Sequence, residues 1–280
     1  MTSQEEQAYL EEIERVIKAG PYHADWNSLT DWSAPDWFLQ KRFGIFIHWG
    51  LYSIAAHANE WYSRNMYIKE KEEWEYHRKT YGDHREFGYK DFIPMFTAEK
   101  FNPREWMKLF KEAGAGYVFP VAEHHDGFQM YKSRISRYNA WDMGPHRDLL
   151  GEFKEAAEEE GLVFCTSSHR AEHWFFMGHG KEFDSDIREP LQKGDFYWPA
   201  MPEPDNQDLR SNPYPTEEFL TDCCFEPVRS SMNTGHLCCT LTGGCSMRRL
   251  KRCSKNWQLI IITGRYSGAK KLRSAISMMR

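Results

Sequence analysis

No run in the 280 residues approaches the roughly 18 consecutive apolar positions that a membrane-crossing helix needs. The first twenty residues, MTSQEEQAYLEEIERVIKAG, are acidic and helical in pattern with no apolar h-region. The expectation is therefore no secretory signal, no membrane partner and a cytoplasmic location. A basic excess is also missing: the formal net charge is -5, whereas a nucleic-acid binder carries a basic footprint across its domain. Internal repeats and low-complexity segments are absent, and so is a G-x-G-x-x-G phosphate loop.

Cysteine is nearly missing from the first 222 residues, where Cys165 stands alone. The other six (Cys223, Cys224, Cys238, Cys239, Cys245 and Cys253) crowd into the remainder, without the C-x2-C pairs of a zinc site. Charge breaks at the same place: residues 223–280 hold eleven Lys and Arg against one acid, Glu226, while the first 222 hold 25 against 40. A basic tail is one reading of 223–280. Its cysteines, tryptophan and apolar QLIII favour another, a shifted reading frame: read one base earlier with permitted codons, LCCTLTGG can yield LYFDWW. Residues 1–222 are thus expected to be one structural unit and 223–280 an aberrant, non-native segment.

What the first part does contain is alternation. RFGIFIHWG (42–50) reads as a buried strand closed by Gly50, GYVFPVAE (116–123) as a second and LVFCTSS (162–168) as a third. NPREWMKLFKEAGA (102–115) has proline at an early helical position, Trp106, Leu109 and Phe110 as its apolar face and Gly114 at its end. RDLLGEFKEAAEEEG (147–161) is a second helix, with Asp148 near its start. Residues 69–93 are densely charged and read as a solvated insertion or helix; 195–216 are Pro-rich and mostly loop. The β-α-β-α-β order implies a parallel sheet. With no phosphate loop after the first strand, a Rossmann sheet is disfavoured, and an incomplete (β/α)8 TIM-barrel α/β fold is the expected class.

Each strand ends in the same chemistry. The first delivers His48 and Trp49, the second His124, His125 and Asp126 from AEHHDGF, and the third runs into Ser167, Ser168 and His169. In a (β/α)8 barrel the carboxyl ends of the strands converge on one face, where the active site sits. Histidines supply donors and acceptors at fixed angles, which suits gripping several sugar hydroxyls at once. They also ligate metals, and HRAEH (169–173) has an i, i+4 spacing, but the carboxylate of an H-E-x-x-H helix is missing. Glu60 and Trp61, on the loop after the first strand, are further candidates, Glu60 as an assisting carboxylate. Aromatic content of 15%, with 11 Trp, fits stacking on sugar C–H faces and equally a large aromatic core.

On these residues the chain resembles the α-L-fucosidases of glycoside hydrolase family 29. The matching pieces are DWF and KRFGIFIHWGLYSI (36–54), NEWYSRNMY, FNPREWMKLFKEAGAGYVFPVAEHHDGFQMY (101–131) and the pair Arg147 and Asp148, over roughly residues 30–222. The resemblance implies retaining hydrolysis of terminal α-L-fucosyl residues on a fucosylated oligosaccharide or glycoconjugate, with no metal and no cofactor. It implies sugar contacts from His48, His124, His125 and Trp61, with Glu60 beside them and Trp49 at the same strand end. Where the family has an aromatic after the third strand, His169, His173 or Trp174 stands in. The family nucleophile is an aspartate in a stretch like YFDWW, which occurs here only in the alternative reading of the tail, so no catalytic residue is identified in this frame and an inactive hydrolase is expected. A lectin-like fucose binder and a histidine-based metal hydrolase are the other readings; homo-oligomerisation is left open.

Overall fold

The computed structural model describes residues 3–19, 27–28, 33, 36–204, 213, 215–223 and 239–241. The reading of 223–280 as non-native lies almost wholly outside them. Among the described residues no helix is long and apolar enough to cross a membrane.

Among the described residues the helices with defined bounds include α1 (Ser3–Ala19), α2 (Asp36–Gln40), α3 (Tyr62–Asn65), α4 (Glu72–Thr80), α5 (Pro103–Glu112), α6 (Leu149–Glu159) and α7 (His173–Phe176). The strands are β1 (Gly44–Ile47), β2 (Tyr117–Glu123), β3 (Val163–Phe164), β4 (Thr166–Ser168) and β5 (Cys239–Leu241). All pairings are parallel, in the order β1-β2-β4-β5, with β3 also on β2. Neighbours in the sheet therefore follow chain order, without the reversal of a doubly wound sheet.

The third strand is expected as one piece and is found as two. Pro120 lies across from the break; it has no N–H to give the ladder. Its carbonyl instead accepts the Thr166 hydroxyl at 3.2 Å, and the β2–β4 register shifts between Val121 and Glu123.

Local signals account for both crossover helices. Asn102 caps α5 by accepting from the Glu105 amide, Pro103 opens it, and Gly114 ends it at φ +90°. Asp148 caps α6 by accepting from the Gly151 amide at 3.0 Å. One expectation on α5 fails. Its inward stripe is Pro103, Trp106, Met107 and Phe110, spaced by three and four, and Leu109 falls outside that arc and is exposed.

Alternation along the strands sorts side chains to two faces. From β1, Ile45, Ile47 and Trp49 turn towards the helices. There Trp49 packs among Phe96, Phe101, Trp106 and Phe153, with ring centroids 4.9–6.3 Å away. Phe46 turns to the opposite face, where it meets Phe119 at 5.5 Å, and Trp37, Val163 and Cys165 pack with Phe119. Phe46 is half exposed, on the open side of β1.

The charged segment 69–93 is not simply solvated. Its exposed charges cover a core in which Trp74 stacks on His84 at 4.3 Å and His77 on His84 at 4.6 Å. The imidazoles are satisfied locally: His77 lies 3.0 Å from the Tyr62 hydroxyl and 2.9 Å from the Phe87 carbonyl, and His84 lies 2.6 Å from that of Met66. This subdomain reaches the sheet through Tyr89, whose hydroxyl donates to Asp126 at 2.7 Å.

Candidate functional site

The sequence AEHHDGF turns the chain sharply at the end of β2. Asp126 accepts from the Phe128 amide at 3.0 Å and from Tyr89, which folds the turn and ties it to the 69–93 segment. Burial pushes the Asp126 carboxyl up to about 7 against these hydrogen bonds. Gly127 has φ +79°, and a Cβ there would stand 2.7 Å from the His173 ring, so the turn admits glycine alone without rearrangement.

The turn delivers His124 and His125 next to His48 from β1 and His169 from the residue after β4. His124 lies 4.5 Å from His169, 4.5 Å from His125 and 5.5 Å from His48; His48 and His125 each lie 5.0 Å from His169 (ring centroids). Three separate strand ends thus build one imidazole cluster. Tyr52 closes one side, its ring 4.4 Å from His124. On the other, Phe176 stacks on His125 at 4.7 Å, and Trp61 meets both His125 and Phe176 edge-on.

Hydrogen bonding fixes some rings and leaves others open. His125 Nδ1 donates to the His169 carbonyl at 2.9 Å, which leaves its Nε2 as the acceptor. Both nitrogens of His124, Nε2 of His169 and the hydroxyl of Tyr52 are buried without a partner among the described residues. Buried polar groups are almost always paired within a protein, and here four unpaired atoms lie together on neighbouring rings. Burial holds His125 down at about 3 and His169 at about 2, and His124 well below the ordinary range, helped by its imidazole neighbours. His48 is lowered by burial, with Glu60 pulling the other way. At neutral pH each ring is uncharged, with one donor and one lone pair.

Beneath the histidines lies a buried charge network. Arg170 donates to Glu123 at 2.5 Å and also to Asp222, while Gln129 donates to Glu123 at 2.9 Å. Burial opposes the guanidinium's charge, but the two carboxylates outweigh it and raise its pKa. Asp222 arrives from the helical segment 217–223, so this ion cluster joins three parts of the chain.

Of the residues proposed from sequence, His48, His124, His125, His169 and Trp61 come together, and half-buried Glu60 acts electrostatically on His48 and Tyr52. Two do not join them. Trp49 follows His48 by one residue, so the pleat points it into the aromatic layer under the helices. Trp174 is buried in the core against Phe175, and Phe176 is the aromatic of that turn that meets the cluster. The i, i+4 pair of HRAEH also separates, because His173 Nδ1 donates to the His125 carbonyl at 2.7 Å while His169 faces His48 and His124. Tyr52, Phe176, Glu123 and Arg170 are missed from sequence. Tyr52 alone carried a readable signal, four residues after His48 in IHWGLYS.

Fold and site together define a parallel α/β domain with a neutral, histidine-lined polar site at the carboxyl ends of its strands. The family model described as Alpha-L-fucosidase matches residues 9–229, and the chain belongs to that family. It is similar to the tissue alpha-L-fucosidase of Homo sapiens, 38% identical over 172 residues (60% of this chain and 36% of that protein), and to that of Rattus norvegicus, 38% identical over 156 residues (55% and 33%). Among solved structures it is similar to the alpha-fucosidase of Thermotoga maritima in complex with fucose, with a TM-score of 0.67 and 32% identity over 88% of this chain and 55% of that one. The chain thus spans about a third of the length of these curated relatives.

Proposed function

We propose that this chain carries the sugar-gripping part of a retaining α-L-fucosidase barrel and binds a terminal α-L-fucosyl group on a glycan without hydrolysing it. The observation that carries this reading is the ring of unpaired polar atoms on His124, His169 and Tyr52, bordered by the aromatic faces of Phe176 and Trp61. Hydroxyls of a deoxy-sugar would satisfy the first set, and its C–H face would lie on the half-buried Trp61. Strand neighbours in chain order, all parallel, with the site at their carboxyl ends, support a (β/α)8 arc.

Retaining hydrolysis needs a carboxylate to attack the anomeric carbon and a carboxylic acid to protonate the leaving oxygen, about 5–5.5 Å apart. Glu123 and Asp222 are both engaged by Arg170, and no aspartate follows Asp222 in the sequence. The strand next along the sheet, β5, consists of Cys239, Thr240 and Leu241, which offer no carboxylate. LCCTLTGG, which contains β5, is the stretch whose alternative reading supplies YFDWW. The full chain incubated with an aryl α-L-fucoside is expected to release no phenol above the blank; turnover near that of an intact fucosidase overturns this reading. Sequencing the coding DNA across codon 222 tests the cause.

A further inference from the structure

A second charge cluster stands apart from the strand-end histidines, beside Trp61. Arg64 in α3 donates from Nε and Nη2 to one oxygen of Glu203, Oε2, at 2.8 and 2.5 Å, and from Nη1 to the Asn65 side chain at 2.8 Å. His179, in the turn Gly178–Lys181 that follows α7, brings Nε2 to the same Glu203 oxygen at 2.8 Å and Nδ1 to Glu182 at 3.0 Å. The side chains of Arg64, Glu203 and His179 are 12, 9 and 21% exposed, so the cluster is largely withdrawn from water. Both nitrogens of His179 face carboxylates, which suits the doubly protonated ring, and the hydrogen bond to Glu203 raises its pKa against burial. Burial opposes the charge on Glu203, yet His179 and Arg64 outweigh it and hold its pKa down.

The two donors to Glu203 occupy matching places. Arg64 follows Trp61 by three residues, about one helical turn, and its guanidinium carbon lies 5.5 Å from the Trp61 ring centroid. His179 follows Phe176 by three residues, and Phe176 meets Trp61 edge-on at 5.3 Å. One carboxylate oxygen therefore ties together the two segments that carry the aromatic rings next to His125. The Pro-rich stretch brings Glu203 there. The Met201 amide donates to the Trp174 carbonyl at 2.7 Å, and a Cβ on Gly178 would stand 2.0 Å from the Met201 carbonyl oxygen, so this stretch lies directly against α7 and its turn. We propose that Glu203 is a positioning residue for sugar recognition: through Arg64 it fixes the orientation of the Trp61 ring on which the C–H face of the sugar packs. The inference rests on the fucose reading for its ligand. Releasing the ring lowers apparent affinity by the fraction of the time it spends in other orientations.

The test is calorimetric titration of L-fucose into the full chain, Glu203→Gln, Trp61→Ala and the double variant, with circular dichroism to confirm folding. Glu203→Gln keeps the side chain's shape and removes the charge that holds Arg64 and His179. It is expected to bind about two- to thirty-fold more weakly, the span of one cation–π contact. On the Trp61→Ala background it should cost no more than about twofold further, because its effect runs through that ring. Equal affinity in wild type and Glu203→Gln, or losses that multiply in the double variant, overturns the proposal; where Trp61→Ala binds too weakly to measure, the single variant decides. Should Glu203→Gln misfold, His179→Gln, which removes one of the two donors at the most exposed of the three side chains, takes its place. Fluorotryptophan labelling adds a ligand-free reading. The fluorine resonance of Trp61, assigned by its loss in Trp61→Ala, is expected to shift or broaden in Glu203→Gln while that of Trp49 stays; an unmoved Trp61 resonance overturns the proposal. Absence of L-fucose binding by the folded wild type sinks the fucose reading and leaves the positioning of Trp61 to the resonance alone, so the two can fail separately.

Discussion

His48 and Trp49 are consecutive in sequence and end up in two regions of opposite character. Trp49 joins a layer of Phe96, Phe101, Trp106 and Phe153 that is apolar throughout and packed under α5 and α6. His48 joins His124, His125, His169 and Tyr52, rings of similar size at similar spacing, yet with four polar atoms left unpaired. Both are aromatic clusters by distance; only the first is complete in itself. Aromatic packing that satisfies every atom stabilises the fold, whereas packing that leaves buried donors and acceptors open costs stability and is expected where a ligand completes it.

Acid should separate the two regions most strongly. His125, His169 and His173 have folded pKa values of about 3, 2 and 4, and His77 about 4, all depressed by burial. Unfolding returns each to about 6.5, so the unfolded chain binds the extra protons below that pH. Their contribution to stability is full above about pH 6.5 and is lost as pH falls towards the folded values. Asp126, raised to about 7, works in the opposite sense: its contribution is full below about pH 3.8 and is lost as pH rises through about 7. The depressed imidazoles outnumber the groups that work in the opposite sense, Asp126, Asp186 and His179, which leaves a net loss in acid, about 1.4 kcal/mol per pH unit for each unbalanced group. Melting temperature followed by circular dichroism should fall steeply below about pH 6; a flat or rising profile from pH 6.5 to 5 would contradict the neutral-imidazole core.

Arg170→Met comes next. It strands the Glu123 and Asp222 carboxylates beneath the histidines, and losing one member of a buried ion cluster costs about 3–5 kcal/mol. Urea denaturation should show that loss; a change under about 1 kcal/mol would mean that the network is wet and dispensable. The smallest effects come from the neighbouring pair themselves. Trp49→Ala should cost about 3 kcal/mol through the cavity it leaves, whereas His48→Gln at its exposed position should stay within about 0.5 kcal/mol. Equal costs in the same denaturation experiment would erase the distinction between the layers.

How far the site could be read from sequence follows from the same geometry. The strand ends were legible because apolar runs stop at histidine in HWG, AEHHDGF and SSH, and the parallel order followed from the alternation with the well-capped helices at 102–115 and 147–161. Assigning Trp49 to the site failed because adjacency in sequence hides the two-residue period of a strand. Trp174 failed for a related reason: in the turn HWFF only coordinates tell which ring faces inward. Arg170 was invisible because its partners lie 47 and 52 residues away. The 69–93 segment misled through composition, since its charges are outside and its Trp74, His77 and His84 inside.

The most direct measurement is calorimetric binding of L-fucose to the full chain and to His124→Phe, which keeps a ring in place and removes both unpaired nitrogens. The account predicts one site in the wild type and a loss of about 5–150-fold in the variant, equivalent to 1–3 kcal/mol of hydrogen bonding. Absence of binding to the folded wild type, or equal affinity in the two proteins, would contradict it.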